Sequence, residues 1–258
     1  MIGTENKENP LIAVIMPAYN AEAYIEEAIT SVMNQSVTDW ELIVIDDCSQ
    51  DQTQSIVKAI SERDSRVKLL INEKNSGAAV SRNKGLEIFC GEYVALLDSD
   101  DYWYPQMLEK MLDRIKATSA DIVYCSYEIV DENKNKICND FLVPEKTTFK
   151  ESIVRSVITC STVMVTGQFA KSHRFPTNMY HEDIALWFEA LRNGATACGV
   201  TDILAAYRQS ANTKSANKLK SACRRWKIYR NHLKMPLLKS MDAMLRYAFY
   251  GVLKYKRV

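Results

Sequence analysis

The chain of 258 residues lacks several features that would assign a protein to a class at once. No stretch approaches the roughly 18 uninterrupted apolar residues of a membrane-spanning helix. The polar first ten residues contain no apolar segment of the kind found in secretory signals. Neither a G-x-G-x-x-G fingerprint nor a P-loop occurs, which excludes these two modes of nucleotide binding. The sequence also contains no internal repeat and no low-complexity segment.

Cysteine and histidine are few and have no metal-ligand spacing. The seven cysteines are odd in number and scattered, and no C-x-x-C pair occurs. The three histidines, His173, His181 and His232, are equally dispersed. This pattern indicates neither a disulfide framework nor a zinc site, and we expect a reduced, cytoplasmic setting.

The net charge is small, but it is unevenly distributed. The chain has a formal net charge of +1, yet residues 214–258 contain thirteen Lys or Arg and one acidic residue, Asp242. This segment therefore carries +12, and the remaining residues carry −11. Such an asymmetry predicts that the basic segment contacts an anionic partner.

The basic segment is predicted to form an amphipathic helical tail. Pro236 is expected to divide it into two helices, and its aromatic residues include Trp226 and Tyr229. Basic amphipathic helices with aromatic edges are typical of anionic bilayer surfaces, so we expect peripheral contact with the cytoplasmic face of a membrane. The alternative is a helical pair that packs on the rest of the chain with a solvated basic face. Nucleic acid is not expected as the partner, because no nucleic-acid-binding module is present.

Short apolar runs alternate with amphipathic stretches in the first half of the chain. The runs PLIAVIM, WELIVIDD, RVKLLIN and EYVALLD predict four strands, and the stretches that follow them predict helices. This alternation indicates an α/β fold with a mostly parallel sheet flanked by helices. The first strand is expected to stop at Pro17, and Asn20 is expected to cap the first helix.

Polar motifs follow three of these strands, at the edge where such sheets bind ligands. They are PAYN at residues 17–20, DDCS at residues 46–49 and DSDD at residues 98–101. Asp98 and Asp100 form a D-x-D, whose two carboxylates can hold a hard divalent cation and leave coordination positions for phosphate oxygens. A solvated acidic turn is the alternative.

Two further segments carry candidate ligand-binding groups. Asp47 can accept a hydrogen bond from the imide of uracil, or it can cap the helix that follows. In NSGAAVSRNKG, small residues leave the first N–H groups of a helix open to a ligand, and Arg82 can reach a phosphate or a base. The alternative for this helix is close packing on the sheet.

The motifs PAYN, VIDDCSQDQT, NSGAAVSRNKG, LLDSDD and HED occur in the order and spacing of family 2 glycosyltransferases, which the chain resembles over roughly residues 10–210. The resemblance implies the GT-A fold, a nucleotide-sugar donor with UDP favoured, a Mg²⁺ or Mn²⁺ ion, and inversion at the anomeric carbon. It implies a catalytic domain at residues 1–213, with a nucleotide-sugar half at about 10–105 and an acceptor half at 106–213. The basic tail then occupies residues 214–258.

Carried over to this chain, the resemblance assigns roles to single residues. Asp47 would contact the base, Asp100 would bind the metal directly, and Asp98 would face the ribose or the water shell of the metal. Asp183 in HED would be the base that activates the acceptor hydroxyl, although acids in a first helical turn also stabilise a helix by themselves. The other residues expected at the nucleotide are Pro17, Ala18, Tyr19, Asn20, Arg82, Ser99 and Arg208.

The signature Q-x-x-R-W of processive family members is absent, and AYRQSANTKS stands in the corresponding region, so Arg208 is expected at the diphosphate. The resemblance therefore implies single addition to a lipid-linked or saccharide acceptor in capsule, O-antigen or lipooligosaccharide synthesis. The alternatives are a non-catalytic nucleotide-sugar sensor and a haloacid-dehalogenase-type phosphatase. The phosphatase class expects Thr or Val two residues after the second Asp, where this chain continues with Tyr102 and Trp103 after Asp101, and it leaves PAYN and HED unexplained.

Overall fold

The computed structural model describes residues 9–209 and 218–254, in which nine strands form one mixed sheet flanked by helices. The strands are β1 (Ile12–Ala18), β2 (Trp40–Asp46), β3 (Val67–Ile71), β4 (Tyr93–Leu96), β5 (Tyr102–Trp103), β6 (Ile122–Val130), β7 (Lys146–Thr147), β8 (Val163–Thr166) and β9 (Ala197–Arg208). The α-helices are α1 (Ile25–Met33), α2 (Thr53–Ser61), α3 (Ala78–Ile88), α4 (Met107–Thr118), α5 (Phe149–Ser152), α6 (Gly167–Ser172), α7 (Glu182–Arg192), α8 (Lys218–Lys227) and α9 (Leu237–Lys254). The predicted α/β class is confirmed.

The strand order brings the predicted polar motifs to one edge of the sheet. The order is β3-β2-β1-β4-β8-β6-β9-β5, and β7 pairs with β9. The first four strands are parallel, whereas β8 lies antiparallel between β4 and β6. Because β9 is parallel to β6, the strands β1, β2, β4, β6 and β9 all run in the same direction. The loops after β1, β2, β4 and β9 therefore meet at a common edge.

The core is built on β1 and β2, in which every residue is buried. This is typical of parallel strands that helices cover on both faces. Helix α3 packs closely here, since a Cβ atom at Gly85 would lie 2.6 Å from Cγ2 of Ile15. Glycine at this position lets α3 approach the sheet, and the close packing carries Arg82 to the edge where the motifs meet.

The predicted end of β1 is wrong, because the strand continues through Pro17 to Ala18. Proline cannot donate a ladder hydrogen bond, so a strand normally tolerates it only where no partner requires one. The pairing of β1 with β4 ends at Ile15 and Leu96, two residues before the proline. The missing N–H at Pro17 therefore costs no hydrogen bond to that neighbour.

The predicted capping role of Asn20 is also wrong. Helix α1 begins at Ile25, and Asn20 has a φ of +48° in the left-handed region that asparagine tolerates. Its side-chain Oδ1 accepts a hydrogen bond from the N–H of Gln50 at 2.9 Å, and its own N–H donates to Oγ of Ser49 at 2.9 Å. Asn20 thus joins the PAYN motif to the loop after β2.

The basic C-terminal segment forms the two predicted helices, α8 and α9. A π-helical turn at Ile228–His232 and then Pro236 separate them. Residues between the two helices and Ala243 of α9 share a second buried cluster with α7 and the two residues that follow α5; it consists of Ile153, Val154, Ala185, Phe188, Ile228, Tyr229, Leu233, Met235 and Ala243. Residues 214–217 and 255–258 of the predicted tail lie outside the described residues. Within the described ranges, no helix combines the length and the apolar character needed to cross a bilayer.

Tyr229 is not the interfacial anchor that the sequence suggested. Its side chain is fully buried, its ring stacks on Phe188, and its hydroxyl donates a hydrogen bond to the carbonyl of Ile153. Arg225 is buried as well and donates to Oγ of Ser156 at 2.7 Å. The basic composition of this segment does not reveal which of its residues face the protein. The structure shows that Arg225 and Tyr229 do.

Replacement of Tyr229 by alanine should lower the free energy of unfolding by about 3–5 kcal/mol, because it removes a large side chain from a packed cluster. Urea denaturation of the whole chain measures this change. Phe249→Ala is a matched control on α9, since Phe249 is 64% exposed and its loss should cost less than about 0.5 kcal/mol. Equal stability of Tyr229→Ala and the native protein would mean that the C-terminal helices do not pack on the sheet domain in solution.

Candidate active site

The acidic turn after β4 is fixed from within by Asp101, for which the sequence suggested no role. This residue is 2% exposed. One carboxylate oxygen accepts a hydrogen bond from the backbone N–H of Arg208 at 2.7 Å, and the other accepts from the hydroxyl of Ser161. The Ser161 Oγ in turn accepts from the N–H of Asp98 at 3.1 Å. These bonds tie β4, β9 and the one-turn 3₁₀ helix Cys160–Thr162 to one another, and they leave Asp98 and Asp100 at the rim.

Arg82 joins the acidic turn to the predicted base motif. Its Nη2 lies 2.6 Å from Oδ1 of Asp98, and its Nη1 lies 3.0 Å from Oε1 of Glu182. The guanidinium also lies over the ring of Phe175, at 5.3 Å from its centroid. Arg82 comes from α3 and Glu182 from α7, so one buried cation holds segments 100 residues apart. The sequence predicted a phosphate or a base as the ligand of Arg82, and the structure gives it two carboxylates.

Asp183 lies in the first turn of α7, next to Glu182. Helix α7 begins after His181, whose φ of +61° turns the chain sharply into the helix. Burial, and then the neighbouring Glu182 carboxylate, raise the pKa of Asp183 to about 6, while Arg82 acts in the opposite direction. A carboxylate with a pKa near neutrality can accept a proton at physiological pH and hold it through a reaction step.

The carboxylates of Asp98 and Asp100 form the candidate cation site. Burial, and then the nearby Asp98 charge, raise the pKa of Asp100 to about 6, so the two groups repel each other when both are ionised. Arg82 forms an ion pair with Asp98, whereas Asp100 is exposed at the rim and its carboxylate is stabilised by a backbone hydrogen bond and by the charges of Arg208 and Arg82. Ser99 lies between them, partly exposed.

The donor set of this turn suits a hard divalent cation, because it consists of carboxylate oxygens that repel each other when both groups are ionised. Across the described ranges, no group of three His, Cys, Asp or Glu side chains is placed to hold a metal alone. Asp98 and Asp100 would therefore share such an ion with oxygens of a second molecule. The residues present fit a cation that arrives with a phosphate-bearing ligand.

Asp47 organises the loop before α3. Its carboxylate accepts hydrogen bonds from the N–H groups of Ser76 at 2.9 Å and Gly77 at 2.7 Å, and from Nδ2 of Asn72 at 2.8 Å. Gly77 has a φ of +90°, which favours glycine at this point of the turn. The alternative, that Asp47 caps the helix that follows it, is wrong: Asp51 bonds the N–H of Thr53 at the start of α2, and Asp47 bonds the turn before α3. Its contact with a base stays a prediction.

Residues 17–20 lie beside this loop, at the end of β1. The carbonyl of Ala18 accepts from the N–H of Asp47 at 2.7 Å, which continues the pairing of β1 with β2. Tyr19 projects to solvent and is 49% exposed. The motifs PAYN and DDCS are thus hydrogen-bonded to each other, and the acidic turn follows the neighbouring strand β4.

Arg208 lies at the end of β9 and holds the acidic turn through a hydrogen bond to its backbone. Its Nε donates to the carbonyl of Asp100 at 2.9 Å, and its Nη2 lies 2.7 Å from Oε2 of Glu27 on α1. Its guanidinium stacks on Tyr24, at 4.3 Å from the ring centroid. The side chain is 3% exposed. The structure brings Arg208 to the predicted site, and its contact with a diphosphate stays a prediction.

The supporting residues Asp101, Ser161 and Glu27 were missed at the sequence level. Asp101 offered one signal, since it is the third acid in the run and follows a buried strand. Ser161 and Glu27 belong to no recognisable motif, and their contacts with Asp101 and Arg208 depend on strand order.

Comparison with known protein sequences finds one family and relatives that are named as glycosyltransferases. The sequence matches the model of the family "Glycosyl transferase family 2" over residues 13–174. It is 37% identical over 245 residues to the Bacillus subtilis glycosyltransferase TuaG, whose name assigns it provisionally to teichuronic acid biosynthesis; the match covers 95% of this chain and 97% of the relative. It is 35% identical over 246 residues to the Escherichia coli protein WfgD, named as a UDP-Glc:α-D-GlcNAc-diphosphoundecaprenol β-1,3-glucosyltransferase, with 95% of each chain covered.

Among solved structures, the chain is similar to S. aureus TarS residues 1–349 in complex with UDP-GlcNAc. The TM-score is 0.72 at 21% identity, and the match covers 92% of this chain and 71% of the other. The mannosyltransferase PcManGT from Pyrobaculum calidifontis, in complex with GDP-Man and Mn²⁺, gives a TM-score of 0.69 at 17% identity over 94% of this chain and 70% of the other. At these identities the likeness concerns the fold, and it confirms the predicted GT-A architecture.

Proposed function

The chain belongs to glycosyltransferase family 2, and we propose that it moves one sugar from a UDP-sugar to a hydroxyl of a lipid-linked saccharide, with inversion at the anomeric carbon. The observation that carries the proposal is the contact of Arg82 with both Asp98 and Glu182. Because Glu182 is next to Asp183 in sequence, this contact supports a site in which leaving-group stabilisation and proton removal act on one bound sugar.

The donor would bind across the loops after β1, β2 and β4, in the half formed by residues 10–105. Residues 17–20 and Asp47 would contact the nucleoside, while Asp98 and Asp100 would hold Mg²⁺ or Mn²⁺ with the diphosphate. A divalent ion there supplies charge stabilisation for the departing nucleoside diphosphate. Arg208 would act on the same group through the carbonyl of Asp100, which it fixes.

The acceptor would bind in the half formed by residues 106–213, next to Asp183. This carboxylate would take the proton from the incoming hydroxyl as its oxygen forms the bond to the anomeric carbon. The bond from that carbon to the diphosphate oxygen breaks on the opposite side, which gives inversion. Tyr180 would form part of this acceptor site, because it is 65% exposed shortly before α7. The guanidinium of Arg224 lies 4.3 Å from its ring centroid.

The nature of the acceptor is proposed from two features. WfgD has a name that specifies a diphosphoundecaprenol-linked sugar as its acceptor, and TuaG has a name that refers to a surface polysaccharide. In this chain, Arg224 of α8 lies over the ring of Tyr180 shortly before α7, and Lys227 adds an exposed positive charge on the same helix. A cationic surface near the base suits an acceptor that carries a diphosphate.

A nucleotide-sugar screen tests the proposal. The full chain is mixed with UDP-, GDP- and dTDP-sugars with and without Mn²⁺, and thermal stability and release of nucleoside diphosphate are measured. We expect a UDP-sugar to stabilise the protein only with the metal, and to release UDP slowly without an acceptor. Stabilisation by GDP- or dTDP-sugars alone would overturn the donor assignment. Stabilisation without any turnover, with or without a lipid-linked saccharide, would overturn the proposed transfer.

The pH dependence of transfer should report the state of Asp183. A general base acts in its ionised form, and the pKa of this carboxyl is raised to about 6. The rate from bound donor should therefore be constant above about pH 7 and fall about tenfold for each pH unit below about 6. The rate is measured at saturating donor and metal. Weaker binding caused by protonation of the cation site then does not change the measured rate. A rate that stays constant down to about pH 5 would contradict the assignment.

A further inference from the structure

Helix α9 exposes an apolar stripe along its outer side, at residues spaced three and four apart. Its large members are Leu238 (80% exposed), Met241 (48%), Leu245 (72%) and Phe249 (64%), and Leu237 (53%) lies at its edge. The opposite side of α9 is the one that packs, since Ser240 and Ala243 are buried. The helix therefore has two apolar sides, and the described residues cover only one of them.

A groove lined by basic residues borders the C-terminal part of this stripe. It has a volume of about 700 Å³ and lies between α9 and residues 144–157. Its cationic lining residues are Lys146, Lys150, Arg155 and Arg246, and Leu245, Phe249 and Tyr250 form its α9 wall. The one acid that lines it, Glu151, is engaged in the capping box at the start of α5. The groove thus combines a positive side with an apolar side.

We propose that the α9 stripe and the adjoining basic groove dock the protein on an anionic phospholipid bilayer. The contact predicted for the basic tail then lies on α9, and it does not involve the inward-facing Tyr229 and Arg225 of the preceding segment. The stripe would enter the acyl boundary, and the cations would meet lipid phosphates at the headgroup level. A large apolar side next to cations is the arrangement that interfacial helices present to membranes.

Charge complementarity and side-chain type favour a bilayer over another occupant. Lys146, Lys150 and Arg155 line the groove beside Arg246, which is paired with Asp242, and the single lining acid is bonded in the capping box, so the groove favours a negatively charged ligand surface. The stripe consists of long, separated apolar side chains on one helix, which can insert among lipid chains without a matching cavity in a partner. The surface contact also deepens the proposed function, on which it rests in one respect, because a lipid-linked acceptor is available only at the bilayer.

Flotation with vesicles tests the proposal on the full chain. Native protein is expected to float with vesicles of equal phosphatidylglycerol and phosphatidylcholine at 0.1 M salt, and much less with phosphatidylcholine alone. Raising the salt to 1 M shortens the Debye length from about 10 Å to about 3 Å and should weaken binding. Leu245→Gln with Phe249→Gln should reduce the bound-to-free ratio at least about tenfold, since it removes two inserting side chains. Lys146→Glu with Lys150→Glu should do the same through the groove.

Matched variants control for loss of exposed apolar and basic residues in general. Ile88→Gln with Ile137→Gln removes two apolar side chains of 46% and 43% exposure away from α9, and should bind vesicles as the native protein does. Lys58→Glu with Lys116→Glu makes the same charge change on α2 and α4. UDP release from donor without acceptor should be unchanged in all four variants, which separates failure of docking from failure of the proposed function.

Three results would overturn the proposal. Native protein that does not float at 0.1 M salt rejects a bilayer as the partner. Equal reduction by the α9 variant and its control rejects the stripe as the docking site. A native dimer in sedimentation that Leu245→Gln with Phe249→Gln converts to a monomer would show that a second copy of the chain covers the stripe.

Discussion

Replacement of Asp183 by asparagine should lower the rate of transfer from bound donor by about two to four orders of magnitude, with donor affinity unchanged. The amide has the size of the carboxylate but cannot accept the hydroxyl proton, and that is the usual range for loss of a general base. Single-turnover transfer to a lipid-linked or saccharide acceptor measures the rate, and titration calorimetry with UDP and Mn²⁺ measures the affinity.

Glu182→Gln provides the matched control for Asp183→Asn. It changes the adjacent carboxylate on the same helix turn, and Glu182 contacts Arg82. Because the Glu182 charge helps to raise the pKa of Asp183, its removal should shift the acid limb of the pH profile to lower pH and leave the maximal rate largely intact. A variant Asp183→Asn that transfers normally but binds donor poorly would identify Asp183 as a residue that only stabilises the start of α7.

Replacement of Asp100 by alanine should abolish Mn²⁺-dependent binding of UDP. The candidate site offers two carboxylates, and one of them already shares its charge with Arg82. Loss of Asp100 removes the carboxylate that forms no ion pair with Arg82, so a cation and its diphosphate would no longer be held. Titration calorimetry at a fixed Mn²⁺ concentration measures the effect, and thermal unfolding shows whether the variant is folded.

Two comparisons make the Asp100→Ala result specific. Asp113→Ala removes an exposed carboxylate from α4 and should leave UDP affinity unchanged. Asp100→Asn keeps the shape of the turn and lowers its charge, so it should weaken the metal dependence without unfolding the loop. Unchanged UDP affinity in Asp100→Ala would remove Asp100 from the proposed metal site.

The first half of the fold was predictable because its signals are local. Strands β1 to β4 are short, mostly apolar runs of four to seven residues; a helix follows each of β1 to β3, and α4 follows β4 after the two-residue β5. The position of β8 was not predictable, because it enters antiparallel between β4 and β6 through contacts remote in sequence. The two-residue strand β5 carries too few residues for any periodicity.

The sequence predicted the motifs of the candidate site, but not the contacts that hold these motifs in place. Asp98, Asp100 and Asp183 were identified by the family pattern, and the structure brings their segments together through Arg82. The partners of Arg82 could not be inferred, since a buried arginine and a ligand-binding arginine look alike in sequence. The same limit applies to Arg208, whose four polar contacts depend on where β9 ends.

The hydrogen bond between Asp101 and the N–H of Arg208 also sets the time at which the acidic turn can form during synthesis. The two residues are 107 positions apart. At about 5–20 residues per second, roughly 5–20 seconds of translation separate them. We expect ribosome-bound chains that end before β9 to show no Mn²⁺-dependent UDP binding, and longer chains to acquire it. Incomplete translation products would then neither bind nor consume nucleotide-sugar, because their acidic residues cannot yet be held in place.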